Sequence, residues 1–369
     1  MVDLKTQYES IRTEINIAIQ EVLDSAYYIG GPQVLKLQKG LEEYLGVRHA
    51  IPCANGTDAL QIALMSLDLK KGDEVIVPSF TYVATAEVIA LLGLKPVMID
   101  VDYDTFNITR ELVEKSISPK TKVIIPVHLF GQCTDMDEII NLSKEHNLAI
   151  IEDNAQSIGT KYFSIELGTK RAGSLGTIST TSFYPSKNLG CYGDGGAMFT
   201  DNEELAHNMR MIANHGQEKK YYHSVIGCNS RLDAIQAAVL NVKLKYLESY
   251  HKKRNDVADI YDSVFSSIDQ IITPTRHNKS THVFHQYTLK VKGGRRNDFK
   301  NYLSDKGISS MIYYPVPLYN QKAFSGYVQD LKLANTELLC REVISLPIHT
   351  EMKSEDQGYI IDQVKNFFS

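Results

Sequence analysis

The segment 122–153, "KVIIPVHLFGQCTDMDEIINLSKEHNLAIIED", determines the fold class of this chain. It holds two short apolar runs, "KVIIPVHLFG" and "LAIIED", and between them lies "DMDEIINLSKEH", whose apolar residues recur at helical spacing. Strands that are apolar throughout are typical of sheets covered on both faces, and strands joined by a helix run parallel. We therefore predict a strand, a helix and a second, parallel strand over these residues.

The same alternation continues on both sides of this segment. Further apolar runs are "EVIVPS", "KPVMIDVD", "TISTTSFY" and "GAMFTD", with helical stretches such as "ATAEVIALLG" and "TRELVEKSI" among them. A first helix is predicted from the helical spacing of apolar residues between Tyr8 and Val22, and the loop "YIGGP" ends it. These patterns predict an α/β domain over residues 1–245, with a mostly parallel central sheet and helices on both faces.

The pattern of charged and apolar residues changes near residue 246. A long charged helical stretch, "ESYHKKRNDVADIYDSVF", is followed by short β-type runs such as "HVFHQYTLKV" and "SSMIYYPVP", and then by a final helix. We predict a smaller C-terminal α+β domain over residues 246–369, because a chain of 369 residues is long enough for two domains.

Composition and charge argue against several classes of function. The net charge of −5 leaves no basic surplus for nucleic acid or for an anionic membrane, so we expect a small-molecule partner. No segment is apolar enough to span a membrane and the N-terminus lacks the features of a signal peptide, which predicts a cytoplasmic protein. Five cysteines lie far apart without a CxxC pair, so we expect neither disulfides nor a metal site.

Ligands of open α/β sheets bind beyond the carboxyl ends of the strands, and four sequence features fall at such ends. The turn in "ANGTDALQIAL" precedes a helix whose first amide groups suit a phosphate, with the alternative that Thr57 or Asp58 only caps the helix. Tyr82 follows a strand and is either a core residue or a stacking platform. Asp153 ends a buried strand, either as a cap or as a carboxylate with a polar partner.

The fourth feature is Lys187, in the run "SFYPSKNLGCYGDGGA" at 182–197. Most lysines are solvated, but a lysine that lies beside an apolar strand with a lowered pKa is a nucleophile toward aldehydes. Pyridoxal phosphate needs a helix N-terminus for its phosphate, an aromatic face for its ring, a carboxylate for its ring nitrogen and a lysine for its aldehyde. Because the four features occur together, we predict that the chain binds pyridoxal 5'-phosphate.

Six motifs together resemble the DegT/DnrJ/StrS family of sugar aminotransferases over nearly the whole chain. They are "ANGTDALQ", "GDEVIVPSFTYVATA", "KVIIPVHLFGQ", "IIEDNAQSIG", "SFYPSKNLGCYGDGGA" and "NSRLDAIQAA". The resemblance implies the aspartate-aminotransferase fold, which is fold type I of the pyridoxal-phosphate enzymes. It also implies a homodimer, a nucleotide-linked keto-sugar as substrate and L-glutamate as amino donor.

By this resemblance, Lys187 and Asp153 are the catalytic residues. Lys187 forms the Schiff base with the cofactor and transfers protons, and Asp153 pairs with the ring nitrogen. The resemblance further implies that Gln156 bonds to the ring hydroxyl oxygen and that Tyr82 stacks on the ring. One lysine would thus serve both as covalent anchor and as acid and base.

The resemblance also assigns the phosphate site and makes it a shared one. Gly56, Thr57 and Ser182 would hold the phosphate together with the partner subunit's Asn229, because the "GCNSR" loop of such dimers crosses into the neighbouring site. The active site would then be complete only in the dimer.

Three residues are candidates for binding the sugar nucleotide. Arg231 suits a carboxylate or a diphosphate, with a salt bridge between subunits as the alternative. Tyr313 and Tyr314 lie in "SSMIYYPVPLYNQ", where Tyr314 keeps the residue type usual in the family. Tyr313 and Tyr319 stand where related enzymes often have histidines, so the sequence leaves the substrate specificity open.

The segments "SFYPSKNLGCYGDGGA" and "HGQEKKYYHSVIGCNSRLDAIQAA" contain Lys187 and Asn229. They are most similar to the branch of the family that aminates the 3-keto group of UDP-2-acetamido-2-deoxy-3-oxo-glucuronate for bacterial surface polysaccharides. A UDP-linked 3-keto-N-acetylglucosamine of lipid A synthesis and a dTDP-linked 3-keto-6-deoxyhexose present a similar reaction centre and stay open as alternatives.

Two other classes of protein fit this sequence less well. A nicotinamide oxidoreductase would carry GxGxxG after its first strand, and the sequence has none in that context. A catalytically silent regulator that binds the cofactor would be expected to lose Lys187 or Asp153, and both are present. Relatives that dehydrate sugars have a histidine in place of the lysine, so Lys187 favours transamination.

Overall fold

A computed structural model describes residues 1–328 and 331–369 of the chain. The α-helices are α1 (Leu4–Ser25), α2 (Gly31–Leu45), α3 (Gly56–Met65), α4 (Ala84–Leu91), α5 (Arg110–Glu114), α6 (Met136–His146), α7 (Glu203–Ala213), α8 (Ala234–Leu244), α9 (Leu247–Phe265), α10 (Arg296–Asp305), α11 (Ala334–Glu342) and α12 (Ser354–Phe368). The strands are β1 (His49–Cys53), β2 (Glu74–Pro78), β3 (Lys95–Ile99), β4 (Thr121–Ile124), β5 (Ala149–Asp153), β6 (Lys161–Ser164), β7 (Gly168–Arg171), β8 (Ile178–Ser182), β9 (Gly196–Thr200), β10 (Gln217–Lys219), β11 (Tyr222–His223), β12 (Ile271–Ile272), β13 (Tyr287–Val291) and β14 (Val343–Leu346).

The central sheet has seven strands in the order β1-β9-β8-β5-β4-β2-β3. The five strands from β8 to β3 are parallel, and β9 is antiparallel to both of its neighbours. Because two antiparallel pairings restore the original direction, β1 also runs with the parallel set. The carboxyl ends of β1, β2, β5 and β8 therefore lie at one edge of the sheet. The predicted, mostly parallel sheet is confirmed.

Apolar cores on both faces explain why the parallel strands are apolar throughout. Along β2, Val75 and Val77 pack with residues of α3, α4 and α7, whereas Ile76 packs on the other face with residues of α5 and α6. Successive side chains of a strand point to opposite faces, so a strand covered on both sides has no exposed position.

The residues after 246 form a separate, antiparallel sheet of three strands, in the order β12-β13-β14. Helices α9, α10 and α12 share an apolar core with this sheet. Two other C-terminal segments, around 318–324 and 339–343, pack against the cores of the central sheet instead. We retain the division into domains 1–245 and 246–369 as a proposal.

No helix in the described part of the chain is long and apolar enough to cross a membrane.

Candidate active site

Strand register brings three parts of the chain together at the carboxyl edge of the sheet. Gly196, the first residue of β9, pairs with Cys53 at the end of β1 and with Ser182 at the end of β8. The turn that leads from β1 into α3 therefore lies beside the segment that leads from β8 toward Lys187.

The N-terminus of α3 packs closely against the end of β8. Asn55 caps the helix by accepting a hydrogen bond from the Asp58 amide at 2.8 Å. The predicted alternative, in which Thr57 or Asp58 is the cap, is wrong, because the capping position is two or three residues earlier. A Cβ atom on Gly56 would lie 2.7 Å from the Ser182 Cβ, so only glycine allows this helix to begin against β8. The amides of the first turn have no carbonyl partner within the helix and are available to an anion.

Asp153 is a buried carboxylate with defined partners. The hydroxyl of Thr85, on α4, donates to its Oδ2 at 2.8 Å, and the Ala155 amide donates to its Oδ1 at 3.2 Å. Only 5% of the residue is exposed. Two neutral donors orient the carboxylate without neutralising its charge, so it remains able to pair with a cation.

Lys187 lies in the loop between β8 and β9 and is half-buried. Its amide donates to the Tyr184 carbonyl at 2.8 Å. Burial lowers the pKa of Lys187 to about 8, although the negative charge of Asp153 acts in the opposite direction. A lysine with this pKa has a substantial neutral fraction near physiological pH, and the neutral amine is the nucleophilic form.

Gln156, Tyr314 and Tyr82 lie next to one another. The Gln156 side chain donates to the Tyr314 hydroxyl at 3.2 Å and accepts from the Phe130 amide at 2.9 Å. The Tyr82 and Tyr314 ring centroids are 6.5 Å apart, and Tyr82 is largely exposed rather than part of a core. Burial raises the pKa of Tyr314, which therefore keeps its proton.

Tyr313 and Tyr319, the two positions at which the resemblance led us to expect histidines, lie in different environments. Tyr313 is half-buried, with its ring centroid 5.9 Å from that of Tyr314. Tyr319 is buried in the core beside the central sheet and donates to Glu337 at 2.9 Å. Tyr313 is thus adjacent to the site, whereas Tyr319 has a structural role.

Asn229 and Arg231 are exposed between α7 and α8. Asn229 forms an isolated β-bridge with Asn214. Ser230, between the two, donates to Asp58 at 2.7 Å and accepts from the Ala54 amide at 3.1 Å, which anchors this segment to the start of α3. The other predicted site residues lie together at the carboxyl edge of the sheet. Among the described residues, no hydrogen bond joins the side chain of Asn229 or Arg231 to any of them.

A second buried carboxylate, Glu152, directly precedes Asp153 on β5. It accepts from the Ser179 hydroxyl at 2.6 Å and from the His128 Nε2 at 2.9 Å, and three backbone amides donate to it as well. Burial opposes the ionisation of Glu152, but the hydrogen bonds from His128 and Ser179 outweigh it and lower its pKa. The Nδ1 of His128 accepts from the Thr134 amide, so the ring carries its proton on Nε2.

Sequence reasoning missed Thr85 and Phe130. The bond from Thr85 to Asp153 spans 68 residues of sequence, and although the threonine lies in the motif "GDEVIVPSFTYVATA", nothing in the motif distinguishes it from a packing residue of the helix. The bond from Phe130 to Gln156 uses a backbone amide, which no residue type can signal.

Pyridoxal phosphate fits this arrangement on three observations. The glycine at the start of α3 leaves its first amides accessible beside Ser182, as a phosphate requires. The buried Asp153 supplies a fixed negative charge, and the nearby Lys187 supplies an amine with a lowered pKa. Gly56, Thr57 and Ser182 would hold the phosphate, Asp153 the ring nitrogen, and Lys187 the aldehyde.

Residues 9–365 match the profile of the DegT/DnrJ/EryC1/StrS aminotransferase family. A pleiotropic regulatory protein of Geobacillus stearothermophilus is 43% identical over 372 residues, which is 100% of this chain and 98% of that protein. The UDP-2-acetamido-2-deoxy-3-oxo-D-glucuronate aminotransferase of Pseudomonas aeruginosa is 44% identical over 348 residues, 94% of each chain. A UDP-N-acetyl-3-dehydro-alpha-D-glucosamine 3-aminotransferase of Acidithiobacillus ferrooxidans is 41% identical over 365 residues, 99% of this chain and 96% of that protein.

Solved structures also match this chain over nearly its whole length. The crystal structure of Streptomyces venezuelae DesV in complex with a ketimine intermediate has a TM-score of 0.95 and 38% identity, covering 100% of this chain and 98% of that one. The structure of NtdA from Bacillus subtilis with bound cofactor PMP has a TM-score of 0.90 and 32% identity, covering 97% and 82%.

Fold and site together define an aminotransferase of the aspartate-aminotransferase fold that depends on pyridoxal phosphate. The chain belongs to the DegT/DnrJ/EryC1/StrS aminotransferase family.

Proposed function

We propose that this protein transfers an amino group from L-glutamate to the C3 keto group of a nucleotide-linked sugar. The sugar is UDP-2-acetamido-2-deoxy-3-oxo-glucuronate, and the product serves the synthesis of bacterial surface polysaccharide. The observation that carries the reaction is that Lys187, an amine of lowered pKa, lies close enough to the oriented carboxylate of Asp153 to feel its charge. The observation that favours this sugar is the 44% identity to the Pseudomonas aeruginosa enzyme.

Some of the site residues hold the cofactor, and Lys187 also moves protons. The bound cofactor supplies an electron sink for the carbanion that forms when a proton leaves carbon. The Lys187 Nζ takes the proton from the α-carbon of glutamate; the amino group stays behind, and water supplies the keto oxygen of the departing 2-oxoglutarate. In the second half, Nζ delivers a proton to C3 of the sugar as the retained amino group replaces the keto oxygen, which leaves as water. Asp153, oriented by Thr85, keeps the ring nitrogen protonated throughout, and Tyr82 covers the ring.

We further propose that the active site is shared in a homodimer, with Asn229 reaching the cofactor phosphate of the partner. Support comes from the exposed apolar side chains on both sides of Asn229. The hairpin that precedes it exposes Tyr221 and Ile226 to 79% and 87%. The loop 27–29, which is bonded to Asp233 and Ala234, exposes two tyrosines and an isoleucine. Exposed apolar surface of this extent is typical of a protein interface.

Arg231 is the proposed anchor for the uronate carboxylate, because its exposed guanidinium lies two residues from Asn229 and presents paired donors. If so, Arg231→Gln should raise KM for the 3-oxo-glucuronate about 10-fold or more but should hardly change KM for UDP-3-oxo-N-acetylglucosamine, which lacks the carboxylate. A matched control is Arg295→Gln, since Arg295 stacks on Phe367, which packs against the core of the small C-terminal sheet. An intersubunit salt bridge would instead make both substrates equally sensitive.

The direct test of the reaction presents glutamate with UDP- and dTDP-linked 3-keto sugars, with and without the uronate carboxyl, and identifies the amino product by mass spectrometry. Lys187→Ala should abolish turnover and remain folded, because it removes an amine and no core contact. Turnover by that variant would overturn the assignment of Lys187. A preference for a dTDP-linked sugar, or for the sugar without the carboxyl, would overturn the proposed substrate and leave the reaction class intact.

A further inference from the structure

Lys243, on α8, is a second buried lysine near the active-site loop. Only 1% of the residue is exposed. Its Nζ donates to the Gly190 carbonyl at 2.8 Å and lies 4.4 Å from the centre of the Tyr192 ring. Neither partner carries a formal charge, and burial lowers the pKa of Lys243 to about 8.

The two residues that Lys243 contacts belong to the loop that carries Lys187. The loop closes where the Cys191 amide donates to the Phe183 carbonyl at 2.8 Å. Within it, Gly190 packs so closely that a Cβ atom there would lie 2.4 Å from the Pro185 carbonyl oxygen. A shift of Gly190 would therefore move the turn at 184–187, in which Lys187 is bonded to Tyr184.

Helix α8 holds the same loop at a second point. The Gln236 side chain accepts from the Tyr192 amide at 2.8 Å. Gln236 and Lys243 are seven residues apart on α8, which places them on one face, two turns from each other. One helix face thus fixes both the carbonyl of Gly190 and the amide of Tyr192.

Burying a lysine without a carboxylate partner costs free energy that leucine or methionine would not cost. What the lysine provides at this position is a donor on a long stem that reaches the Gly190 carbonyl. We propose that Lys243 is a positioning residue for the transamination: by holding Gly190, it fixes the loop so that the Lys187 amine stays in its reactive position. This inference rests on the proposed role of Lys187.

Lys243→Met tests the inference because it keeps the length of the side chain and removes the donor. The matched control is Lys290→Met. Lys290 is also fully buried and lies over an aromatic ring, that of Tyr103, while donating to a carbonyl. It differs in pairing with the exposed Asp104 at 3.1 Å and in belonging to the small C-terminal sheet. Four quantities are measured. They are the rate at which cofactor-free protein binds pyridoxal phosphate, followed by the absorbance of the lysine-bound cofactor; kcat; KM; and the unfolding midpoint of the cofactor-free protein.

We expect Lys243→Met to slow cofactor binding and to lower kcat, each by about 10- to 100-fold, as misplacement of a reacting group does, with KM for the sugar unchanged. Its unfolding midpoint should be equal to that of the wild type or higher. Lys290→Met should bind the cofactor at the wild-type rate. Wild-type binding by Lys243→Met would overturn the inference, and so would equal slowing in both variants, since that would indicate a general loss of stability.

A second variant covers the case in which Lys243→Met does not fold. Gln236→Leu removes the acceptor of the Tyr192 amide and should slow cofactor binding in the same direction; an unchanged rate would contradict the role of this helix face. Wild-type protein and Lys187→Ala are compared first in the same assay. If Lys187→Ala develops the absorbance of wild type, the proposed function fails at that step, whatever the Lys243 variants do.

Discussion

The proton on Lys187 is governed by two opposing influences. Burial favours the neutral amine, whereas the charge of Asp153 favours the ammonium form, and burial is the stronger of the two. A surface lysine at neutral pH is almost wholly protonated and a poor nucleophile. In this environment the Lys187 amine can attack an aldehyde and can afterwards accept a proton.

This balance predicts the pH dependence of Lys187 reactivity. In cofactor-free protein, only the neutral amine reacts with an acylating reagent, so the rate of labelling at Lys187 should rise with pH and level off above about 8. The rate for an ordinary lysine continues to rise toward 10.5. Peptide mass spectrometry after brief labelling at a series of pH values measures both in one sample. A midpoint for Lys187 near 10.5 would contradict the proposed environment.

Asp153→Asn separates a structural from a chemical role for this carboxylate. Asparagine keeps Oδ1, which can accept from the Ala155 amide, and its NH2 group replaces Oδ2, where the Thr85 hydroxyl can rotate to accept from it, so the fold should not change. The change removes the charge that keeps the ring nitrogen protonated, which should cost about 2 to 4 kcal/mol of transition-state stabilisation and lower kcat by orders of magnitude in both half-reactions.

The cofactor should still attach to Asp153→Asn, because Lys187 is untouched, giving a yellow, folded and nearly inactive protein. Single-turnover kinetics with glutamate and absorbance spectra check this. Thr85→Val is the control, since it loosens the carboxylate but leaves its charge; its loss of kcat should be smaller. Wild-type rates in Asp153→Asn would reject the pairing with the ring nitrogen even if Lys187 proved essential.

At the scale of elements, strand β5 carries two adjacent carboxylates with different roles. Side chains alternate along a strand, so Glu152 and Asp153 point to opposite faces. Glu152 is satisfied by five donors, including His128 and Ser179, and joins β5 to the turn at 173–176. Asp153 has two partners and faces α4. The first carboxylate therefore stabilises the strand that presents the second.

Glu152→Gln should destabilise the protein by about 3 kcal/mol, because it removes one charge from a buried network and leaves its donors poorly satisfied. The pKa of Glu152 is lowered in the folded state, so its contribution is present above the ordinary value of 4.5 and is lost as the pH falls through the lowered value. The difference from wild type in denaturant unfolding should accordingly shrink in acid. Glu355→Gln, on the exposed first turn of α12, is the control and should change stability by less than about 0.5 kcal/mol.

The sequence predicted those elements whose pattern is local. The parallel strands and their helices follow from apolar runs and helical spacing, and the start of α3 follows from a turn beside glycine, although the residue that caps it is Asn55. Strand β1 was not predicted, because "HAIPC" is short and its partner, β9, is almost 150 residues away. The partners of Asp153 and Gln156 could not be predicted either, since Thr85 and Tyr314 reach them only through the tertiary fold.

At the scale of the whole molecule, the proposed shared site depends on which subunit's phosphate site Asn229 reaches. Ser230 ties its segment to α3 of the same chain, which would allow Asn229 to act at its own phosphate site. The exposed apolar hairpin at 217–226 and the exposed loop 27–29 favour the alternative, in which this segment lies in a subunit interface. The two arrangements differ in which subunit completes each site.

Mixed dimers of Lys187→Ala and Asn229→Ala subunits distinguish the two arrangements. If Asn229 acts across the interface, one site of each mixed dimer receives Lys187 from one subunit and Asn229 from the other and is complete. Random pairing of equal amounts then restores about a quarter of the wild-type activity, since half of the dimers are mixed and each has one complete site. If Asn229 acts within its own chain, every site lacks one residue and mixing restores nothing. Co-expression of the two differently tagged variants, tandem purification and assay of the mixed dimer measure the outcome. Recovery in the mixed dimer, with neither parent active, would establish a shared site, and its absence would reject one.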